Sequence, residues 1–259
     1  MTSVLWNLDE RGVAYVTLNR PEVNNAYDGG MILGLHEALD ALGAKPELRV
    51  VVVRGAGRHF QAGADLIWLQ TVRAASLEEN ERISRATAEA IDRLDRLPVP
   101  TVALVHGSCI GGGTGLVAAC DVVVAAEDAQ FAISEVRWGL TAAIVLPQLN
   151  DAIGARQVRR YALTAERFGA AEARRIGLVS EVVPAEDLAA AGERIVSLLL
   201  GNAPQAIAET KMLALAHAFA TASTGVPQSL IESHARKRRS AEAAEGLASF
   251  AEKRAAKWR

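Results

Sequence analysis

The sequence predicts an α/β core followed by a helical C-terminal portion. Three observations lead there. Short apolar runs with strand character alternate with amphipathic helical segments as far as Val183. The unbroken run Val50-Val51-Val52-Val53 marks a strand buried on both faces. Beyond Val183 the strand signals cease and Ala-rich helical stretches continue. Half of the 259 residues are hydrophobic, so a sizeable core can form and disorder is disfavoured.

Taken in order, Val4–Leu8 and Val13–Leu18 read as two strands joined by the polar turn Asp9-Glu10-Arg11-Gly12. Arg20-Pro21 closes the second, because proline restricts the residue before it and lacks a donor. Met31, Leu35, Leu39 and Leu42 recur at helical spacing. Arg49–Arg54 is the buried strand, turned by Gly55-Ala56-Gly57. Leu77–Leu97 is a long amphipathic helix stopped by Pro98-Val99-Pro100, and Thr101–Val105 is another buried strand. A loop over Gly107–Gly113 enters a helix at Thr114–Cys120. Short strands follow at Val122–Ala126, Gln130–Ile133 and near Val179–Val183. No internal repeat or linker interrupts the chain. We divide it into a core over residues 1–202 and a helical region over 203–259.

Composition excludes several classes of function. The net charge of −2 is spread along the chain and leaves no nucleic-acid footprint. The basic run Arg236-Lys237-Arg238-Arg239 precedes Glu242 and Glu245 and reads as a solvated helix face. Cys109 and Cys120 sit among small apolar residues and read as reduced thiols. The five histidines are scattered without metal-ligand spacing, so no metal is expected. The N-terminus carries no signal-peptide pattern, and no apolar run is long enough to cross a bilayer. The expected location is the cytoplasm.

Two glycine turns carry the chemistry. Gly111-Gly112-Gly113 opens an apolar helical stretch, where bare backbone N–H groups favour an anion or a developing oxyanion. Ala62-Gly63-Ala64-Asp65 follows a buried strand, with Asp65 placed to cap the helix Leu66-Ile67-Trp68-Leu69. A turn needing only a positive φ is the ordinary reading of Gly63 by itself. The glycines match neither phosphate-cradling pattern, G-x-x-x-x-G-K-[ST] nor G-x-G-x-x-G. Ser108 and Ser134 lack the G-x-S-x-G elbow of a nucleophile. Glu135, at a strand end, completes a set of two donor sites and one carboxylate. The residues alone support chemistry beside a carbonyl, and no more.

A wider pattern adds to this. The chain resembles the crotonase (enoyl-CoA hydratase/isomerase) superfamily through Leu18-Asn19-Arg20-Pro21-Glu22 with Asn25-Ala26, Ala62-Gly63-Ala64-Asp65-Leu66, and Gly111-Gly112-Gly113. The resemblance continues in Ala119-Cys120-Asp121, Ser134-Glu135-Val136, Gly177-Leu178-Val179 and the tail Glu245–Arg254. It implies a spiral of ββα units with a helical C-terminal trimerisation region, assembled as a homotrimer or a dimer of trimers. It also implies an acyl-CoA thioester ligand and no separate cofactor. The oxyanion-hole donors of the family map onto the N–H groups of Ala64 and Gly112, and its catalytic glutamate onto Glu135. The substrate-contacting segment maps onto Ala62, Asp65, Leu66 and Ile67, with further contacts near Val23 and Asn24.

The departure is at Gly115, where many hydratases carry a second glutamate. Three readings follow: hydration through Glu135 alone, isomerisation between 3-enoyl and 2-enoyl esters by one shuttling base, or an acyl-CoA-binding relative without catalysis. RNA binding, which some relatives adopt, is disfavoured by the near-neutral charge. Ala62–Leu69, Gly113–Leu116 and Ser134–Leu140 are similar to the bacterial methylglutaconyl-CoA and isohexenylglutaconyl-CoA hydratases, a branch that also tends to carry glycine there. Hydration of a branched glutaconyl-type ester is therefore the expected activity. Arg137 and Arg73 are candidates to meet a distal carboxylate. Trp68 and Trp138 are candidate walls of the acyl pocket, although packing in the core is the commoner role for such residues.

Overall fold

The protein is described by a computed structural model over residues 2–217, 228–238 and 240–258. Nine strands and ten α-helices lie within those residues. Strands β1 (Val4–Leu8) and β2 (Val13–Leu18) form an antiparallel hairpin. Helix α1 (Gly29–Gly43) then crosses to β3 (Val50–Gly55), which pairs parallel with β2. Helices α2 (Leu66–Ala74) and α3 (Leu77–Asp95) lead to β4 (Thr101–Val105). Next come β5 (Ser108–Ile110), α4 (Gly112–Ala118), β6 (Val122–Ala126) and β7 (Gln130–Ala132). Helix α5 (Leu146–Thr164), β8 (Phe168–Gly169), α6 (Ala170–Ile176), β9 (Glu181–Val183) and α7 (Leu188–Leu200) complete the core. Helices α8 (Pro204–His217), α9 (Gln228–Arg238) and α10 (Ala241–Ala251) follow.

The main sheet has the order β1-β2-β3-β4-β6-β9, and a second sheet has the order β5-β7-β8. From β2 onward every pair in the main sheet is parallel, so each strand is reached by a crossover. This accounts for the valine run. Val51 and Val53 point into the large core shared with Ala103, Val105, Val123 and Ala125. Val50 and Val52 point to the other face, where they pack with Val13, Val102 and Val196 of α7. The α/β architecture and the double-sided strand were both legible in the sequence.

Three details differ from the sequence reading. The segment Gly107–Gly113 is not all loop, because Ser108–Ile110 pairs with Gln130–Ala132 as β5. A three-residue strand is too short to show a periodicity, and its partner lies some twenty residues along the chain. The glycine helix starts at Gly112 and ends at Ala118. The last strand begins at Glu181, because the Val179 N–H donates to the Ala173 carbonyl (3.2 Å) instead of joining the sheet.

One ion pair with a buried lysine ties α8 to the sheet. Lys211 of α8 is 8% exposed, and its Nζ lies 2.8 Å from Oδ2 of Asp121. Asp121 also accepts from the N–H and hydroxyl of Thr101, at 2.7 and 2.9 Å. In α9, Lys237 pairs with Glu209 and Glu242, whereas Arg236 and Arg238 are exposed. Arg239, the last residue of the basic run, lies outside the described residues.

Candidate active site

The two glycine turns meet beside β5. The Gln61 N–H donates to the Ser108 carbonyl (3.0 Å) and the Ile110 N–H to the Gln61 carbonyl (2.9 Å), which sets the first turn alongside the approach to the second. A lone parallel bridge joins Ala64 to Tyr27: the Tyr27 N–H donates to the Gly63 carbonyl and the Asp65 N–H to the Tyr27 carbonyl, both at 2.8 Å. In a parallel bridge these bonds use the residues flanking Ala64, so its own N–H faces away from Tyr27. Asp65 then caps α2, accepting from the N–H groups of Ile67 (2.9 Å) and Trp68 (3.2 Å), and is held by Arg20 at 3.1 Å. The cap and the ion pair keep its carboxyl below the usual carboxylate range even against some burial.

Gly111 is the N-cap of α4 at φ +55° and ψ −124°, a conformation that glycine adopts without a side-chain clash. Its N–H continues the small sheet to the Ala132 carbonyl (2.8 Å), and its carbonyl accepts from the Thr114 N–H (2.9 Å). Gly112 is the first residue of α4, where an N–H has no partner within the helix. Among the described residues, neither the Ala64 nor the Gly112 amide donates to a protein group.

Each of the three glycines lies against a different polar side chain. A Cβ at Gly111 would sit 3.3 Å from Oε1 of Glu135. One at Gly112 would sit 2.8 Å from Cε1 of Tyr27, and one at Gly113 would sit 2.8 Å from Oε1 of Gln61. Side chains at these positions would displace the groups that line the site. Tyr27 also packs edge-on against Trp68, with ring centroids 5.8 Å apart.

These groups line one cavity of about 700 Å³ between the glycine turns, α2, α3 and the stretch from Ser134 to Val145. Ala62, Ala64, Leu66, Trp68, Gly112, Glu135, Arg137 and Trp138 all face it, as does Asn24. Asp65, Ile67, Val23 and Arg73 do not; Ile67 is 77% exposed, and Asp65 is committed to the cap and to Arg20. Neither tryptophan packs in the core, contrary to the commoner expectation: Trp138 is 61% exposed and Trp68 half-buried. The short 3-10 turn Glu135–Trp138 explains this, since it carries Trp138 out along the cavity wall.

Glu135 is the one carboxylate among the described residues lining the cavity. Its Oε2 is buried without a hydrogen-bond partner. Burial pushes its carboxyl up from the ordinary value, with the backbone amides of Glu135 and Ser134 pulling the other way. Burial, together with the charge of Glu135, pushes the Tyr27 phenol up to about 12, so it remains a neutral hydroxyl. Arg137 is largely spoken for, with Nε and one terminal nitrogen donating to the Ala165 carbonyl at 3.1 and 2.8 Å.

Among the cavity residues that sequence reading did not assign to the site are Tyr27, Gln61 and Arg167. Tyr27 follows the matched Asn25-Ala26 directly, but nothing in the sequence shows that its ring covers Gly112. Gln61 is 3% exposed, and its Oε1 lacks a partner. Arg167 is exposed at the cavity with no ion pair among the described residues. Among the described residues no cluster of His, Cys, Asp and Glu could hold a metal ion. No described helix is long and apolar enough to cross a membrane.

The chain matches known proteins over nearly its whole length. The sequence profile of the enoyl-CoA hydratase/isomerase family matches residues 9–259. A Thermus thermophilus protein bearing an enoyl-CoA hydratase name is 39% identical over 208 residues, covering 80% of this chain and 82% of that protein. The peroxisomal Δ(3,5)-Δ(2,4)-dienoyl-CoA isomerase of Arabidopsis thaliana is 33% identical over 217 residues, covering 80% of this chain and 78% of the isomerase. Among solved structures, an enoyl-CoA hydratase from Shewanella pealeana superposes with a TM-score of 0.94 at 34% identity, covering 99% of this chain and 96% of that one.

Proposed function

The chain belongs to the enoyl-CoA hydratase/isomerase family, and from that premise we propose that it is an enoyl-CoA hydratase adding water reversibly across the 2,3 double bond of an acyl-CoA thioester. The observation that carries the reading is one cavity holding two unpaired main-chain amides, of Ala64 and Gly112, together with a single half-buried carboxylate. The thioester oxygen accepts from both amides as it becomes enolate-like; loss of one such donor raises the barrier by about 3–4 kcal/mol. Glu135 takes a proton from the water whose oxygen bonds to C3, and that proton is then passed to C2. No cofactor takes part in these steps. Ala62, Leu66 and Trp68 on one side and Trp138 on the other border the bound ester, with Asp65 and Ile67 serving through the backbone of the capped helix.

The favoured substrate is a branched glutaconyl-type ester. Arg167 supports this, as an exposed guanidinium at the cavity without an ion pair among the described residues; it serves better than Arg73, which is off the cavity, or Arg137, which is engaged by Ala165. The helical region from residue 203 serves assembly as a homotrimer or dimer of trimers, a reading supported by Leu247 and Phe250 of α10, which are 69% and 86% exposed. A cytoplasmic location agrees with the free thiols of Cys109 and Cys120.

One other reading has an observation in its favour. A lone carboxylate is sufficient for Δ3,Δ2-enoyl-CoA isomerisation, in which one base removes a proton and returns it elsewhere. Ultraviolet absorbance of the conjugated thioester separates the two. Hydration of a 2-enoyl ester removes it, whereas isomerisation of a 3-enoyl ester creates it. A protein that binds a panel of esters, with and without a distal carboxylate, yet changes none would overturn both in favour of an inactive acyl-CoA-binding relative.

A further inference from the structure

Tyr27 occupies a singular place in this cavity. Its main chain bridges Gly63 and Asp65 on either side of one unpaired amide, and its ring covers Gly112, which carries the other. The hydroxyl has no hydrogen-bond partner among the described residues, although the residue lines the cavity. Glu135 lies against Gly111, the neighbour of the glycine beneath the ring, and its charge is felt by the phenol. Unlike Oε1 of Gln61 and Oε2 of Glu135, the phenol oxygen is not shut away from solvent, so it can bond a water in the cavity, which a phenylalanine could not do.

Hydration with one carboxylate leaves a gap that the phenol fits. A water held only by Glu135 is free to rotate about that single hydrogen bond, so its lone pair is not aimed at C3. Where a second glutamate would project from residue 115, Val145 fills the space. We propose that the Tyr27 hydroxyl takes up this positioning task, its oxygen accepting the second O–H of the reacting water while Glu135 accepts the first. With both protons held, one lone pair faces C3. When the C–O bond forms, the proton on the Glu135 side passes to that carboxylate and then to C2, and the O–H at Tyr27 becomes the product hydroxyl. Tyr27 gains and loses no proton.

This inference rests on the hydratase reading, and its test separates the two. Tyr27→Phe keeps the ring against Gly112 and Trp68 and removes only the hydroxyl. We expect kcat for hydration of 2-enoyl-CoA esters to fall at least about tenfold, with KM within about twofold and the melting temperature unchanged. Isomerisation of a 3-enoyl ester uses no water, so any such rate should remain. Hydration at the wild-type rate in Tyr27→Phe, or an equal loss of hydration and isomerisation, would overturn the inference. Glu135→Gln measured beside it guards the premise. If that variant still hydrates, the hydratase mechanism fails; if it is dead while Tyr27→Phe is normal, only the role of Tyr27 fails. A wild type that hydrates no ester in the panel overturns both.

Discussion

A Cβ built on Gly115 would lie 2.3 Å from Cγ1 and 2.5 Å from Cβ of Val145. The lack of a second acid is therefore more than a missing side chain: a valine from the turn before α5 occupies the volume the acid would need. The two positions share one volume, so enlarging Gly115 alone should fail. Gly115→Glu is expected to destabilise the fold by about 2–3 kcal/mol through overpacking, without raising turnover. Adding Val145→Gly should return part of that loss. Urea denaturation of the two single variants and the double variant would show a favourable coupling of about 1–2 kcal/mol. Purely additive effects would mean that the two residues do not compete for space.

Glu135 sets the pH response. Its folded-state pKa lies above the ordinary carboxylate value, so between those two values the folded chain holds a proton that the unfolded chain has released. The stability this group contributes is present at low pH and is lost as pH rises through the raised pKa. Glu135→Gln abolishes that loss, so its melting temperature should exceed that of the wild type at pH 7 and converge with it in acid. Catalysis moves the other way. As the proposed base, Glu135 must be ionised, so wild-type kcat/KM should fall as pH is lowered through a value above the usual carboxylate range, and Glu135→Gln should cost roughly 100- to 10,000-fold. Equal melting temperatures for the two proteins at pH 7 would indicate that the buried carboxylate carries no penalty.

Much of this site could be read from the sequence because it depends on backbone. Gly63, Gly111 and the capping Asp65 announce a turn by residue type, and the valines of β3 announce two covered faces. What could not be read depends on chains meeting across the fold. The ring of Tyr27 over Gly112, the amide of Gln61 against Gly113 and the valine at Gly115 are all contacts between distant segments. β5 escaped for the same reason, since so short a run becomes a strand only when β7 lies beside it. Arg73 and Arg167 show the effect in reverse: either could have been the free cation, and only folding brings Arg167 to the cavity.

Gly112 offers a test of its contact with the Tyr27 ring. Alanine there keeps the N–H but adds a Cβ 2.8 Å from Cε1 of Tyr27, so the ring must tilt away. A displacement of that kind beside the reacting atoms should lower kcat/KM by roughly 10- to 100-fold while the chain remains folded. Tyr27→Ala combined with Gly112→Ala makes room for the methyl group. If Gly112→Ala acts through the ring, then in the Tyr27→Ala background it should have little further effect on kcat/KM. A full second loss in that background would show that the alanine harms the donor directly.

The last relationship lies away from the cavity and concerns how α8 is held. Lys211 is buried, paired with Asp121 at 2.8 Å and also donating to the Val99 carbonyl at 3.3 Å. Asp121 spends the same oxygen on the N–H and hydroxyl of Thr101, at the mouth of β4. Removing the lysine leaves a carboxylate with only the threonine donors and opens a hole beneath α8. Lys211→Ala should destabilise the chain by about 3 kcal/mol, at the low end for one partner of a buried pair, because the Asp121 side chain keeps 29% exposure. Lys211→Met fills the hole but leaves the charge unpaired, so it should recover only the packing share of the loss. Pairing it with Asp121→Asn should recover more, which chemical denaturation of the three variants would show. If Lys211→Met alone matched the wild type, packing of the aliphatic stem, and not the ion pair, would be what fastens α8 to the sheet.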